Sequence, residues 1–188
     1  MELILASASP RRKQILSEHG FQFEIITADF EEALFGATPA ETVKAFALGK
    51  ARAVCESLSD ERRKNAVVLG ADKVVSFGGK ILGKPSGGIE ATQMLKTLSG
   101  KTHTVYTGYA ILTEGSTVCE SVATHVTFNH LTDELIASYV ATGKPLDKAG
   151  SYGIQDGFDL VAEYDGSFLN IVGLPIEHFA DKLKVILK

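Results

Sequence analysis

The stretch Ala66-Val67-Val68-Leu69-Gly70-Ala71-Asp72-Lys73-Val74-Val75-Ser76-Phe77 decides how the rest of the chain is arranged. Its apolar, β-branched residues predict a strand, broken at Gly70-Ala71-Asp72. Gly78-Gly79 directly after it is a hairpin signal, so this strand has an antiparallel neighbour. Upstream, residues 2–6 form a short apolar run that predicts a buried strand. Ser9 follows as a helix N-cap with Pro10 at the first helical position, and Gly20 ends that helix. Residues 21–27 alternate as a second strand, and Thr38-Pro39-Ala40-Glu41 is a capping box opening a helix to about Leu58. Downstream, a helix is expected over 88–98, two strands within 102–128 joined around Glu114-Gly115-Ser116, and a helix from Thr132 through Ala141. A last amphipathic helix is expected from Leu174-Pro175. Helices and strands alternate early and an antiparallel pair sits in the middle. The pattern predicts an α/β chain with a mixed sheet flanked by helices.

At 188 residues the chain is long enough to bury about 70% of its unfolded surface without disulfide or metal staples. Cys55 and Cys119 have neither metal-knuckle spacing nor a disulfide framework, and are expected to be buried reduced thiols. A hydrophobic share of 45% and a charged share of 22% exclude a disordered chain. The formal charge of −4 argues against a duplex-binding protein, and there is no tryptophan to serve as a stacking platform. The N-terminus has no basic leader region, and no apolar run approaches the roughly 20 residues that cross a bilayer. The expectation is a cytoplasmic protein with no nucleic-acid and no membrane partner, and with a homodimer as the default assembly.

The chemistry-bearing residues fall in short motifs. Ser7-Ala8-Ser9-Pro10-Arg11-Arg12 places two hydroxyls and two guanidiniums at a helix start, where unpaired N–H groups and the helix dipole suit phosphate. The same residues also read as a plain Ser-Pro cap followed by solvated arginines. Asp72 lies inside an apolar strand and needs either an ion-pair partner or a chemical purpose. Gly78-Gly79-Lys80-Ile81-Leu82-Gly83-Lys84-Pro85 approaches the phosphate-binding loop G-x-x-x-x-G-K-[ST], but Pro85 stands where a hydroxyl must reach Mg²⁺. Lys84 remains a candidate point contact for phosphate. In Asp147-Lys148-Ala149-Gly150-Ser151-Tyr152-Gly153-Ile154-Gln155, small residues would let backbone approach a flat ligand, with Tyr152 stacking and Gln155 reading a base edge. A structural glycine loop is the competing reading. Glu31-Glu32 is either a solvated pair or a pair near a metal. The histidines show no zinc spacing, and no nucleophile elbow or dinucleotide fingerprint is present.

Taken in order, these motifs resemble the Maf family of nucleoside triphosphate pyrophosphatases, also called septum formation inhibitor-like proteins. The resemblance is carried by Leu5–Arg12, Lys50-Ala51-Arg52-Ala53, Gly70-Ala71-Asp72, Gly83-Lys84-Pro85, Leu98–His103, Pro145–Gly150, Tyr152-Gly153-Ile154-Gln155 and Val172-Gly173-Leu174-Pro175. It implies one catalytic domain over 1–188, with an elongated mixed sheet and two lobes around a cleft, like inosine triphosphate pyrophosphatases. It implies hydrolysis of a nucleoside triphosphate substrate to the monophosphate and pyrophosphate, with Mg²⁺ or Mn²⁺. By this match Asp72 is the catalytic carboxylate, and Glu32 and Asp72 are the metal carboxylates. Ser7, Arg11, Arg12, Lys50 and Lys84 hold substrate and phosphate, and Arg11, Lys73 and Gln155 set substrate choice. The Arg-Arg pair and Tyr-Gly-Ile-Gln resemble the branch acting on dTTP and UTP. Lys73 departs from that branch, which carries threonine directly after the catalytic aspartate. A longer, cationic side chain there would shift base preference or add a phosphate contact. The alternative function is a nucleotide-sensing regulator of cell division that binds without turnover.

Overall fold

A computed structural model describes residues 1–30 and 38–188. The strands form a seven-stranded mixed sheet in the order β2-β1-β3-β5-β6-β7, with β4 paired to β3 outside that path. The strands are β1 (Glu2–Ala6), β2 (Glu24–Ile25), β3 (Ala66–Phe77), β4 (Lys80–Leu82), β5 (Thr102–Leu112), β6 (Thr117–Phe128) and β7 (Val161–Asp165). The helices are α1 (Pro10–Glu18), α2 (Pro39–Ser57), α3 (Asp60–Asn65), α4 (Gly88–Leu98), α5 (Asp133–Ala141), α6 (Phe168–Val172) and α7 (Ala180–Leu187). The expected mixed sheet with flanking helices is the architecture observed. Among the described residues no helix is long and apolar enough to cross a membrane.

The chain forms two compact units. The first comprises Met1–Asp72, Thr107–Val122 and Gly173–Lys188. In it β1 pairs in parallel with β2 and with β3, and Ala6 is opposite Gly70. Its core joins Ile4 and Ala6 of β1, Ala47, Ala51 and Val54 of α2, and Val68 of β3. Helix α1 starts as its sequence predicts, with the Ser9 side chain accepting from the Arg12 N–H and Pro10 in the first turn. Helix α2 opens with the predicted reciprocal box. The Glu41 N–H donates to Thr38 Oγ1 at 3.3 Å, and the Thr38 N–H donates to Glu41 Oε2 at 3.0 Å.

The second unit comprises Lys73–Tyr106 and Ala123–Val172. Val75 and Phe77 of β3 pair antiparallel with β4 across the predicted Gly78-Gly79 turn, where both glycines have positive φ (+56° and +77°). Its core gathers Val75, Leu95, Val105, Phe128, Ile136 and Tyr152.

Three expectations are corrected. β3 is one continuous strand, because Gly70 keeps extended geometry and Asp72 finds a cationic partner (below) instead of leaving the ladder. The strand expected over 21–27 shrinks to Glu24–Ile25, two exposed residues at the sheet edge. The last helix divides into a short 3₁₀ turn, Ile176–His178, and α7, because Phe179 adopts a non-helical φ of −139° and ψ of −2°. The short elements α3, β7 and α6 escape periodicity because each has only five or six residues.

Gly70 controls how α2 meets the sheet. A Cβ placed there would stand 2.2 Å from the Ala47 carbonyl oxygen and 3.0 Å from the Ala51 Cβ. Gly108 of β5 makes the same allowance, since a Cβ there would lie 2.3 Å from the Val43 carbonyl oxygen. Both clashes are with helix backbone, which cannot rotate away. Gly70→Ala is therefore expected to lower unfolding stability by about 2–3 kcal/mol. Urea denaturation checks this, and a change below about 0.5 kcal/mol would contradict the close-approach argument.

Candidate active site

In the first unit, parallel strand β1 ends at Ala6 beside Gly70, while β3 runs on past it. Ligands of open α/β sheets gather at such strand ends. Ser7 leaves β1 there, buried at 7% exposure. Its hydroxyl accepts from Arg12 Nη1 at 3.0 Å and from the Ser9 N–H at 3.3 Å. The Arg12 guanidinium also donates through Nε to the Gly173 carbonyl at 2.9 Å. The Val172-Gly173-Leu174-Pro175 motif thus supplies a backbone hook for an arginine far away in sequence. Ser9 spends its hydroxyl on the α1 cap, so only Ser7 of the two expected hydroxyls joins the arginine. Arg11 is half-buried in the first turn of α1.

Two residues beyond Gly70, Asp72 meets Lys50 of α2, with Lys50 Nζ donating to Asp72 Oδ1 at 2.6 Å. The side chains retain only 24% (lysine) and 13% (aspartate) exposure, so the pair is poorly screened by water. The two readings left open for Asp72, ion pair and chemical purpose, meet here. Its partner is one of the residues the family resemblance selects. Asp72 Oδ2 accepts no hydrogen bond among the described residues. Glu32, the other expected metal carboxylate, lies outside the described residues, as does Glu31. Among the described residues no group of three or more His, Cys, Asp and Glu side chains is arranged to hold a metal ion.

Lys73, Lys84 and Gln155 belong to the second unit. Lys73 follows Asp72 on one strand, so the two side chains leave opposite faces of the ladder. Lys73 Nζ donates to the Ile171 carbonyl at 3.0 Å. Lys84 is exposed just after β4 and makes no ion pair among the described residues. The residue before it is fixed, because the Gly150 N–H donates to the Gly83 carbonyl at 3.0 Å. Gly150 has φ +70°, and a Cβ there would press on Val75 at 2.9 Å. Gln155 is exposed.

The structure corrects the stacking role expected of Tyr152. Its ring is 2% exposed, packed edge-on to Phe128 (4.7 Å between centroids) and His103 (5.3 Å). Its hydroxyl meets His103 Nε2 at 2.8 Å. The close backbone approach at Gly150 is toward Val75 of β3, so residues 148–153 are a structural loop. The cysteines are free as expected, but half-buried instead of buried.

The sequence gives no sign of several buried polar residues in this unit: Tyr139, Lys148 and Asp156, treated below, and His103. Lys148 and Asp156 show only as charges within a glycine-rich segment, and whether such a charge is buried depends on distant packing. His103 is 2% exposed, and its Nδ1 has no hydrogen-bond partner among the described residues. Burial, helped by the nearby charge of Lys73, pushes its imidazole down to about 4 from 6.5.

The chain is an α/β protein with an arginine–serine cluster at the end of β1 and a lysine–aspartate pair on the neighbouring parallel strand β3. The sequence model of the family described as Maf-like protein matches residues 2–186, and the chain belongs to that family. A dTTP/UTP pyrophosphatase of Bacillus cereus (strain AH820) is 49% identical over 185 residues, 97% of this chain and 94% of that protein. A dTTP/UTP pyrophosphatase of Thermococcus kodakarensis is 50% identical over 176 residues, 93% of this chain and 92% of that protein. The Staphylococcus aureus Ham1 protein structure matches with a TM-score of 0.49 and 14% identity, over 69% of this chain and 73% of that one, a likeness too slight to carry an argument.

The buried imidazole has a consequence for stability. The unfolded chain takes up a proton near pH 6.5, whereas folded His103 resists it down to about 4. Its share of stability is therefore full above pH 6.5 and lost as the pH falls toward 4, about 3 kcal/mol in all. His103→Leu, less stable at neutral pH, is expected to lose less on acidification across this window. Urea unfolding of both proteins across that range checks it, and equal pH slopes would contradict it.

Proposed function

We propose that this chain hydrolyses pyrimidine nucleoside triphosphates of the dTTP and UTP type to the monophosphate and pyrophosphate. The observation that carries the reading is the Lys50–Asp72 pair at 2.6 Å, on β3 next to the end of β1 from which the Ser7–Arg12 contact follows. The near-complete overlap with dTTP/UTP pyrophosphatases supports it. The two units would serve one catalytic domain over 1–188. The reading includes a cytoplasmic setting, where nucleoside triphosphates are made and used, and a homodimer, the commonest oligomer.

A triphosphate brings about four negative charges, which need cations placed in advance. Arg11, Arg12, Lys50 and Lys84 neutralise phosphate oxygens, the arginines by two-pronged contacts and the lysines as point charges. Ser7 and Gly173 hold the Arg12 fork in place before substrate arrives, so little ordering remains to be done on binding. Lys50 transfers from Asp72 to the phosphates, leaving the carboxylate to act on water. Asp72 accepts a hydrogen of that water and aims its oxygen at the α-phosphorus. The new bond is water oxygen to α-phosphorus, the broken bond is α-phosphorus to the bridging oxygen, and pyrophosphate leaves. Asp72 and Glu32 are the carboxylates that would hold Mg²⁺ or Mn²⁺. A single described carboxylate suits such an ion, which takes most ligands from phosphate and water. When bound, the ion neutralises charge developing on the phosphate oxygens.

Base choice is assigned to Arg11, Lys73 and Gln155. The Lys73 ammonium already holds the Ile171 carbonyl, which limits its reach toward phosphate.

Asp72→Asn is expected to cut pyrophosphate release from dTTP with Mg²⁺ by about a thousandfold, with circular dichroism unchanged. Near-normal turnover in that variant would refute the assignment. Tight nucleotide binding by the unmodified chain without pyrophosphate release would instead establish the sensor reading. A panel of normal and modified triphosphates, run on the unmodified chain and on Lys73→Thr, reads base choice. The ranking of substrates is expected to change in the variant, and an identical ranking would remove Lys73 from base choice.

A further inference from the structure

Gln155 sits in a turn that is anchored on both sides by buried polar groups. Tyr139 of α5 is fully buried, and its hydroxyl donates to Asp156 Oδ2 at 2.6 Å. The same hydroxyl accepts from the Gly153 N–H at 3.0 Å. Lys148 Nζ stands 3.3 Å from Asp156 Oδ2, with side-chain exposures of 7% and 9%. Lys148 also donates to the Lys144 carbonyl at 2.6 Å and to Asp147 Oδ1 at 2.8 Å. The Asp156 N–H donates to the Gly153 carbonyl at 3.1 Å, closing the turn, and Lys144 Nζ donates to the Asp156 carbonyl at 3.1 Å. A Cβ on Gly153 would stand 2.8 Å from Lys148 Cε and 2.9 Å from Asp156 Cγ, so the group is packed without slack.

A buried ion pair of this kind is a poor way to gain stability. Removing two charges from water offsets most of their attraction, and apolar side chains of the same volume would serve a core as well or better. What the group does supply is a fixed backbone path, because Tyr139, Lys148 and Lys144 together hold residues 153 and 156 at three atoms, the Gly153 nitrogen, Asp156 Oδ2 and the Asp156 carbonyl oxygen. Between those two fixed points lies the exposed amide of Gln155. An amide that reads a base edge discriminates only if its distance from the base is set beforehand.

We propose that Tyr139, Lys148 and Asp156 are positioning residues for base recognition, holding the 153–156 turn so that the Gln155 amide meets the pyrimidine edge of the substrate. This rests on the reading that Gln155 takes part in base choice. Burial, with the Asp156 carboxylate alongside, raises the Tyr139 hydroxyl well above its usual range, so it remains a hydrogen-bond donor at every working pH.

The test is a kinetic double-mutant cycle on the full chain with dTTP and Mg²⁺. Tyr139→Phe and Asp156→Ala are each expected to raise KM about tenfold while kcat changes less than about twofold. Asp156→Asn, which still accepts from the Tyr139 hydroxyl, should restore most of the loss. In a Gln155→Ala background, both substitutions should have no further effect on KM, because they act through the missing amide. If they raise KM equally in that background, or depress kcat instead, their role is structural and the proposal is overturned. If Gln155→Ala alone leaves KM unchanged, the role of Gln155 fails and the positioning role with it. Pyrophosphate release by the unmodified chain reports separately on the hydrolytic reading. Should Tyr139→Phe not fold, the two Asp156 variants complete the cycle.

Discussion

The first unit is organised by the distance between helix α2 and strand β3. At Gly70 no side chain separates them, and the helix backbone comes to within a distance that even a methyl group would forbid. Two consequences follow from this contact. Ala66 and Val68, before Gly70 on β3, pack with Ala47, Ala51 and Val54 of α2 into one core. One turn along the helix from Ala47, Lys50 is brought to 2.6 Å from the carboxylate two residues beyond Gly70. An aspartate in a strand this apolar would otherwise carry an uncompensated charge. The lysine makes its burial tolerable and, in the proposed function, is also the cation that the substrate's phosphates claim.

The second unit solves a different problem, that of keeping exposed residues on a defined path. Lys84 and Gln155 both lie in segments without regular structure, yet neither neighbourhood is loose. Gly150, left-handed at φ +70° and with no room for a side chain beside Val75, ties the Gly83 carbonyl. Tyr139, Lys148 and Asp156 tie the turn around Gln155. The residues carried by these loops are solvent-facing, whereas the residues that shape the loops are buried, which separates recognition from support.

Much of this was legible from residue order. The Thr38 box, the Ser9-Pro10 start, the Gly78-Gly79 turn and the strand 66–77 depend on neighbours within a few positions, and each appears where local chemistry places it. Asp72 could be singled out because a charge in an apolar run is visible without a partner. That Lys50 is the partner was not visible from local rules, since 22 residues and a helix–strand crossing separate them. The same limit misdirected the reading of Tyr152. An aromatic among glycines suggests an exposed platform, but here the glycines bend the chain so that the ring enters the core against His103 and Phe128. Asp156 is invisible to local rules for the converse reason, because a charge in a turn reads as solvated unless a buried lysine lies against it.

The central claim is that Asp72, released by Lys50 to the phosphates, directs water to the α-phosphorus of a pyrimidine nucleoside triphosphate. The most direct measurement is hydrolysis of dTTP in ¹⁸O-enriched water with Mg²⁺, followed by ³¹P spectroscopy of the products. The account predicts that the label appears in the nucleoside monophosphate and that pyrophosphate carries none. Label in pyrophosphate, or release of labelled orthophosphate, would place the attack at the β- or γ-phosphorus and contradict it.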